Sequence, residues 1–364
     1  MDAAGIGLPA TEGQRPQRTQ VHREADHQTR RSGESELTPV ATAPPPQPPP
    51  ARRIGVIGLG RRGWFHLERF RLRDDLQIAA VTDASPELRE QARKSRWTVV
   101  DSAEALLAVK PLDGVLIACP PDERDDLVPR CLQAGLHVCV EAPLVGSVPL
   151  ARRWLSLADR CQKTLQLAPW RRWDPQFATA SSAVATGRLG IVGAARLTVA
   201  EWTPLSGDAL PETSGGESPE AQFGPHGFDQ LLQLLTADPT SIWARRLPDE
   251  DGFLTVIDFA DGSFAQIDFR RRTRTGQSTG WVLEGSLGSY RQERIVTVSP
   301  DGELIDEPVP GRPESAQDEL RNWFEPTTDA AERRRVWQAV GLIRAVTLAC
   351  DRGGPVRWDE VVGS

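Results

Sequence analysis

A glycine turn set between an apolar run and a helix constrains this chain more than any other feature. Ile54-Gly55-Val56-Ile57 reads as a buried strand, Gly58-Leu59-Gly60-Arg61-Arg62-Gly63 as the turn, and a helix is predicted from about Trp64 to Leu72. Glycines at that spacing permit a tight turn and close backbone approach, so that a pyrophosphate can rest on the helix N-terminus. Asp83 ends the next predicted strand, Gln77 to Thr82, and lies 20 residues past Gly63. That is the interval at which an acid binds the ribose hydroxyls of a dinucleotide. Gly58, Gly60, Arg61, Arg62, Gly63 and Asp83 are therefore candidate cofactor residues. A carboxylate at Asp83 would repel a 2′-phosphate, which favours NAD(H) over NADP(H), although Arg61 and Arg62 could offset it. The other reading is a nucleotide fold that kept its shape and lost its ligand.

The same rhythm continues. Ser85 caps a helix with Pro86 at its first position, running toward Lys94. Thr98 to Val100 is a short expected strand and Ser102 opens another helix. Gly114 to Ala118, Leu136 to Val140 and Thr164 to Ala168 read as strands, separated by helices over Asp122 to Ala134 and Val148 to Cys161. Strands alternating with helices in this way predict a parallel, doubly wound sheet.

After about residue 175 the pattern changes. A helix over Gln176 to Thr186 gives way to long strands. Phe253 to Phe259 and Phe264 to Arg270 flank Asp261-Gly262, residues that tolerate the positive φ of a primed turn. Trp281 to Glu284 and Ser289 to Val298 read as further strands. Asp329 and Glu332 form a capping box for a last helix. That helix carries Val336, Val340, Ile343 and Val346 on one face and stops at Gly353-Gly354-Pro355. The expected fold is an α/β Rossmann domain with a doubly wound parallel sheet over 51–170. A C-terminal α+β domain with an open antiparallel sheet follows over 171–364.

Residues 1–50 are polar and rich in arginine and proline, ending in a nearly unbroken proline run. Such a segment buries too little apolar surface to offset ordering entropy, and reads as a disordered leader. Arg30-Arg31 is followed by no apolar stretch, so an export signal is not expected. Net charge of −7 speaks against nucleic acid or an anionic membrane as partner. Five cysteines with no CxxC pair suit neither a disulfide framework nor zinc, and no metal site is expected. Cys119, Cys131, Cys139 and Cys161 read as small buried residues of a cytoplasmic protein.

Three further segments carry chemistry. Glu141-Ala142-Pro143 follows a strand, Ala118-Cys119-Pro120-Pro121 closes another, and Gln222-Phe223-Gly224-Pro225-His226 precedes Asp229 and an apolar helix through Leu235. Together with the glycine turn they resemble the Gfo/Idh/MocA oxidoreductases, NAD(P)-dependent enzymes acting mostly on sugars and polyols. The resemblance spans about 53 to 357, and includes Gly215-Gly216, Trp170-Arg171-Arg172-Trp173-Asp174-Pro175 and the Glu284 to Ser289 turn. It implies that Cys119, Pro120 and Glu141 line the nicotinamide side of the cleft, with Arg124 where many members have histidine. It implies a small-molecule substrate or effector, helped by the loop 201–221, and pairing of the open sheets into homodimers or homotetramers.

The chain departs from the family where protons move. Ala142 stands at the position of the family lysine and Gln222 at that of the aspartate. Composition does not account for this: the chain has three lysines against 40 arginines, which would explain arginine at 142 but not alanine. Gln222 can orient a substrate but does not titrate. His226 is left as candidate general acid or base, since imidazole titrates near neutrality. It also reads as a retained capping residue of the helix that follows. Two functions are open: a divergent NAD(P)-dependent oxidoreductase with a degenerate proton-transfer site, or a catalytically silent nucleotide-binding sensor or scaffold.

Overall fold

Alternating apolar residues and well-placed caps build the first half of the chain. The computed structural model describes residues 51–141, 147–167, 171, 174–200, 218–248, 252–271, 273, 278–309, 323–324 and 330–363. Strand β1 (Arg52–Ile57) buries Ile54 and Val56 completely. Helix α1 (Arg61–Phe70) follows the glycine turn, starting three residues earlier than its side-chain pattern suggests. β2 (Leu76–Thr82) leads to α2 (Pro86–Lys94), whose Ser85 cap accepts the Leu88 N–H at 3.2 Å. Then come α3 (Ala103–Leu107), β3 (Gly114–Ile117), α4 (Pro121–Gln133), β4 (His137–Val140), α5 (Val148–Arg160) and β5 (Leu165–Leu167). The five strands form a parallel sheet in the order β2-β1-β3-β4-β5. The strand expected at Thr98 to Val100 is only a single bridge, Val99 to Val81. Arg96, at φ 66°, turns the chain just before it and Ser102 caps α3 just after, which leaves no length for a ladder.

The second half is built on a nine-stranded sheet. α6 (Pro175–Ala185) is capped by Asp174 and leads to β6 (Val192–Ala200), α7 (Pro219–Leu234), β7 (Pro239–Arg246), β8 (Gly252–Phe259) and β9 (Phe264–Arg270). β10 (Ser278–Gly285), β11 (Gly288–Arg291), β12 (Arg294–Val298), β13 (Leu304–Pro308), α8 (Ala330–Arg352), β14 (Val356–Arg357) and α9 (Trp358–Val362) complete it. The order is β13-β12-β11-β10-β6-β9-β8-β7-β14. Every pair is antiparallel except β6 with β9, so the sheet is mixed. Parallel neighbours need a long crossover, and α7 with the β7–β8 hairpin supplies it.

Two turns differ from expectation. The run Ser289 to Val298 is broken into β11 and β12 by Gln292 and Glu293, at φ 48° and 61°. This is a primed two-residue turn made without glycine, and so carries no composition signal. At Asp261-Gly262 only the glycine is left-handed, at φ 85°, so the loop is not the two-residue primed turn. Cys119, Cys131 and Cys139 are buried, Cys161 only half so, and all are free thiols. α8 buries Val336, Val340 and Val346 and ends at Gly353, at φ 67°; Asp329 lies outside the described residues.

The tail returns to the first sheet. Trp323, fully buried, packs with Ile54, Val56, Leu67 and Phe70, and stacks on Phe324 at 4.8 Å. Thr164 donates from its hydroxyl to the Trp323 carbonyl at 2.5 Å. No described helix is long and apolar enough to cross a membrane.

Candidate active site

The first sheet reverses its strand order between β1 and β3, and the glycine turn and Cys119 meet at that switch point, where open α/β sheets bind ligands. Each glycine has a separate task. Gly58 sits at φ 99°, and a Cβ there would lie 2.5 Å from the Cys119 nitrogen. A Cβ on Gly63 would lie 1.9 Å from the Gly58 carbonyl oxygen. A Cβ on Gly60 would meet no atom of the described residues within 4 Å, so that glycine leaves open space above the turn. α1 has no acidic residue and no capping side chain in its first turn. The backbone amides and the positive end of the helix thus face an unblocked cradle suited to a pyrophosphate.

Asp83 secures the turn from the next strand. Its Oδ2 accepts the Leu59 N–H at 2.6 Å and its Oδ1 the Ser85 N–H at 2.7 Å. Arg89 donates to the Asp83 and Ala84 carbonyls at 2.7 and 2.9 Å. A cleft of about 400 Å³ opens beside them, walled by Gly58, Asp83, Arg89, Ser102 and Pro120. These residues fit the adenosine half of a dinucleotide. Burial pushes the Cys119 thiol up to about 11, so it is not a thiolate near neutrality.

Beyond the switch point lies a buried polar network. Glu141 Oε1 and His66 Nε2 are 2.7 Å apart, with both side chains 1% exposed. Burial, the largest influence on Glu141, raises its pKa. The hydrogen bond and electrostatic interaction with His66, then those with Arg62 and His226, outweigh it and hold the carboxyl below its ordinary value. Arg124, itself buried, donates from Nε to the Cys119 carbonyl at 2.8 Å and from Nη1 to the Glu141 carbonyl at 2.5 Å. It ties the ends of β3 and β4 together. Glu141 therefore supports the floor of the cleft through His66 and Arg124. His66 was not singled out in the sequence. Its signal was its place on the buried stripe Gly63, His66, Leu67, Phe70, since a buried polar side chain needs a partner.

Gln222 and His226 stand one turn apart on α7, on the same face. The helix begins at Pro219 with Ser218 as its cap, so His226 is an interior residue and not a capping one. The Ser218-Pro219 start signal was there to read, but Gly224-Pro225 masked it. Arg271 donates to Gln222 Oε1 at 3.2 Å. Gln230, one turn further on, donates to the Arg171 carbonyl at 2.6 Å and accepts from Trp281 Nε1 at 3.1 Å. Arg171 lies 5.9 Å from the Phe223 ring. Ala142, Pro143, Trp170, Arg172, Trp173, Gly215, Gly216, residues 1–50 and the loop 201–217 lie outside the described residues.

His226 does not titrate near neutrality. Burial pulls its pKa down to about 3; Glu141 raises it, while Arg171 and Arg62 lower it further. It is neutral throughout the physiological range. The unfolded chain takes up that proton near 6.5 and the folded chain only near 3. Its contribution to stability is full above about pH 6.5 and is lost as pH falls toward 3. His137, depressed from 6.5 to about 4, acts in the same direction over the same window, and Glu141, depressed from 4.5, adds to it lower down. The melting temperature is expected to fall steadily from pH 7 to 4.5, each of the two histidines adding a limiting slope of about 1.4 kcal/mol per pH unit. His226→Asn should remove about half of that slope, since His137 keeps its share. An identical pH profile for variant and wild type would refute the assignment.

Among the described residues no group of His, Cys, Asp or Glu side chains is arranged to hold a metal. The glycine turn and Asp83 border a cleft suited to a dinucleotide, and comparison with known proteins places the chain in a family. The family model described as oxidoreductase family, NAD-binding Rossmann fold, matches residues 52–168. The model of the GFO/IDH/MocA C-terminal domain matches 177–291. The chain belongs to the Gfo/Idh/MocA oxidoreductase family, and its cofactor class is a nicotinamide dinucleotide.

An inositol 2-dehydrogenase of Rhizobium meliloti is 27% identical over 68% of this chain and 77% of its own length. A myo-inositol 2-dehydrogenase of Thermotoga maritima is 26% identical over 69% and 79%. The crystal structure of an NAD-binding protein from Listeria innocua superposes with a TM-score of 0.70 at 26% identity, covering 84% of this chain and 96% of that one.

Proposed function

We propose that this protein binds NAD(H) in preference to NADP(H) and acts as an oxidoreductase on a sugar- or polyol-related carbonyl or hydroxyl, with a degenerate proton-transfer site. The observation that carries the reading is the open cradle at Gly60, set at the switch point above α1 and held by Asp83. The inositol dehydrogenases among its relatives support the substrate class. When bound, the nicotinamide supplies hydride chemistry. Gly58, Gly60, Gly63 and Asp83 would hold the pyrophosphate and adenosine half of the dinucleotide, with Cys119 and Pro120 along the cleft. Arg61 and Arg62 flank the pyrophosphate position.

Gln222 orients the substrate by hydrogen bonding, and neutral His226 accepts or donates one hydrogen bond. Neither supplies a charge. Buried, neutral His226 and Glu141 engaged with His66 also favour a second reading, a nucleotide-binding sensor or scaffold without turnover. The outward row Trp243, Val256, Gln266, Arg196 and Val282, in register across five strands, is the surface on which a second copy would seat.

Titration calorimetry tests the reading. NAD(H) should bind at least tenfold more tightly than NADP(H). No binding of either at millimolar concentration would sink both functions. A monomer in sedimentation equilibrium would overturn the pairing.

A further inference from the structure

Resting on the reading of the cleft as a nicotinamide dinucleotide site, we infer that Glu123 is a second acid of the adenosine ribose pocket, one that accepts from the ribose hydroxyls across from Asp83 and disfavours a 2′-phosphate. Glu123 stands in the first turn of α4 and lines the same cleft of about 400 Å³ as Asp83. Asp83 follows β2 and Glu123 follows β3, the two neighbours of β1. The two carboxylates therefore reach the cleft from either side of the glycine turn.

An acid in a first turn ordinarily serves the helix, whose N-terminus favours negative charge. Glu87 of α2 and Glu104 of α3 are such acids. They are bonded to Ser85 and Arg130, which hold both carboxyls below their ordinary value. Glu123 differs: among the described residues its carboxylate accepts no hydrogen bond and joins no ion pair. Burial, then the charges of Asp122 and Asp83, push its pKa up, and Arg124 only opposes this. Thr82 Oγ1, also on the lining of this cleft, is buried without a partner. Polar groups left over together at a cleft suit a polar ligand better than a folding role. Asp83 is fixed by the Leu59 and Ser85 amides, one on each oxygen, and keeps lone pairs for a further donor. A ribose diol brings two donors, whereas a phosphate dianion brings none. Among the described lining residues Arg89 is the one base, set against Asp83, Asp101 and Glu123. It donates to the Asp83 and Ala84 carbonyls and lies 4.0 Å from Asp101.

Calorimetry on the full chain compares NADH with NADPH for wild type, Glu123→Gln and Asp122→Asn. Glu123→Gln keeps the shape and removes the charge. It should narrow the preference for NADH about tenfold, chiefly through tighter NADPH binding, with melting temperature unchanged. Asp122→Asn removes a charge from the same turn but not from the cleft lining, and should leave the ratio unchanged. The same contrast is expected between 5′-AMP and adenosine 2′,5′-bisphosphate, which carry the adenosine half alone. An unchanged ratio in Glu123→Gln, or an equal change in Asp122→Asn, would overturn the inference. Equal binding of NADH and NADPH by wild type, with NADPH affinity still rising in Glu123→Gln, would sink the proposed NAD(H) preference and leave the role of Glu123 standing. Absence of binding by either dinucleotide would overturn both.

Discussion

Gly60→Ala is expected to abolish dinucleotide binding with no loss of melting temperature, while Gly63→Ala loses both. The two glycines lie three residues apart in one turn, yet their surroundings are opposite. At Gly63 a methyl group would enter the Gly58 carbonyl, backbone that cannot give way without opening the turn. Overpacking of that kind costs about 3 kcal/mol or more. At Gly60 the methyl group meets no protein atom, and φ is −65°, allowed for any residue. Alanine there can even stabilise the fold by restricting the unfolded chain. Among the described residues it obstructs nothing, and it stands in the way of a ligand resting on the helix end. Thermal melting and NADH calorimetry on both variants check the pair. NADH binding by Gly60→Ala as tight as wild type would show that the ligand does not approach there. An unchanged melting temperature for Gly63→Ala would contradict the turn itself.

The second large effect concerns turnover. Wild type is expected to run near background on simple polyols and keto-sugars, because position 142 offers a methyl group, Gln222 does not titrate and His226 is neutral. General acid–base catalysis contributes about 10²–10⁴-fold. The double substitution Ala142→Lys, Gln222→Asp should recover part of that factor on at least one substrate, read by nicotinamide absorbance. The restored carboxylate would meet Arg271, which now contacts Gln222, so the gain should fall below the full factor. Brisk turnover by wild type that survives His226→Ala would refute this account of the site. Binding of NAD(H) with no turnover in either form would move the sensor or scaffold reading ahead.

Much of the fold was readable because its signals are local. Apolar runs between caps marked β1 through β5, and the spacing from Gly63 to Asp83 located the nucleotide end. What escaped depends on distant partners. The left-handed pair Gln292-Glu293 is made by non-glycine residues whose flanking strands force the turn. The parallel pairing of β6 with β9 brings together segments some 70 residues apart, and nothing in either strand announces its direction. The site divides in the same way. The glycine turn could be read from spacing. The state of His226 could not, because Glu141, Arg62 and Arg171 reach it from three other elements, and a helix start two turns upstream buries it. Arg271 reaches Gln222 across 49 residues of sequence.

The seat of Trp323 has a consequence for how this protein is made. The nucleotide half is translated first, yet one of its largest core side chains is encoded well after its last strand, β5. At about 5–20 residues per second, roughly ten to thirty seconds separate the synthesis of residue 170 from that of residue 323. During that interval the nascent first sheet carries an unfilled place beside Ile54, Val56 and Phe70. A gene fragment cut after β5 would leave that place empty.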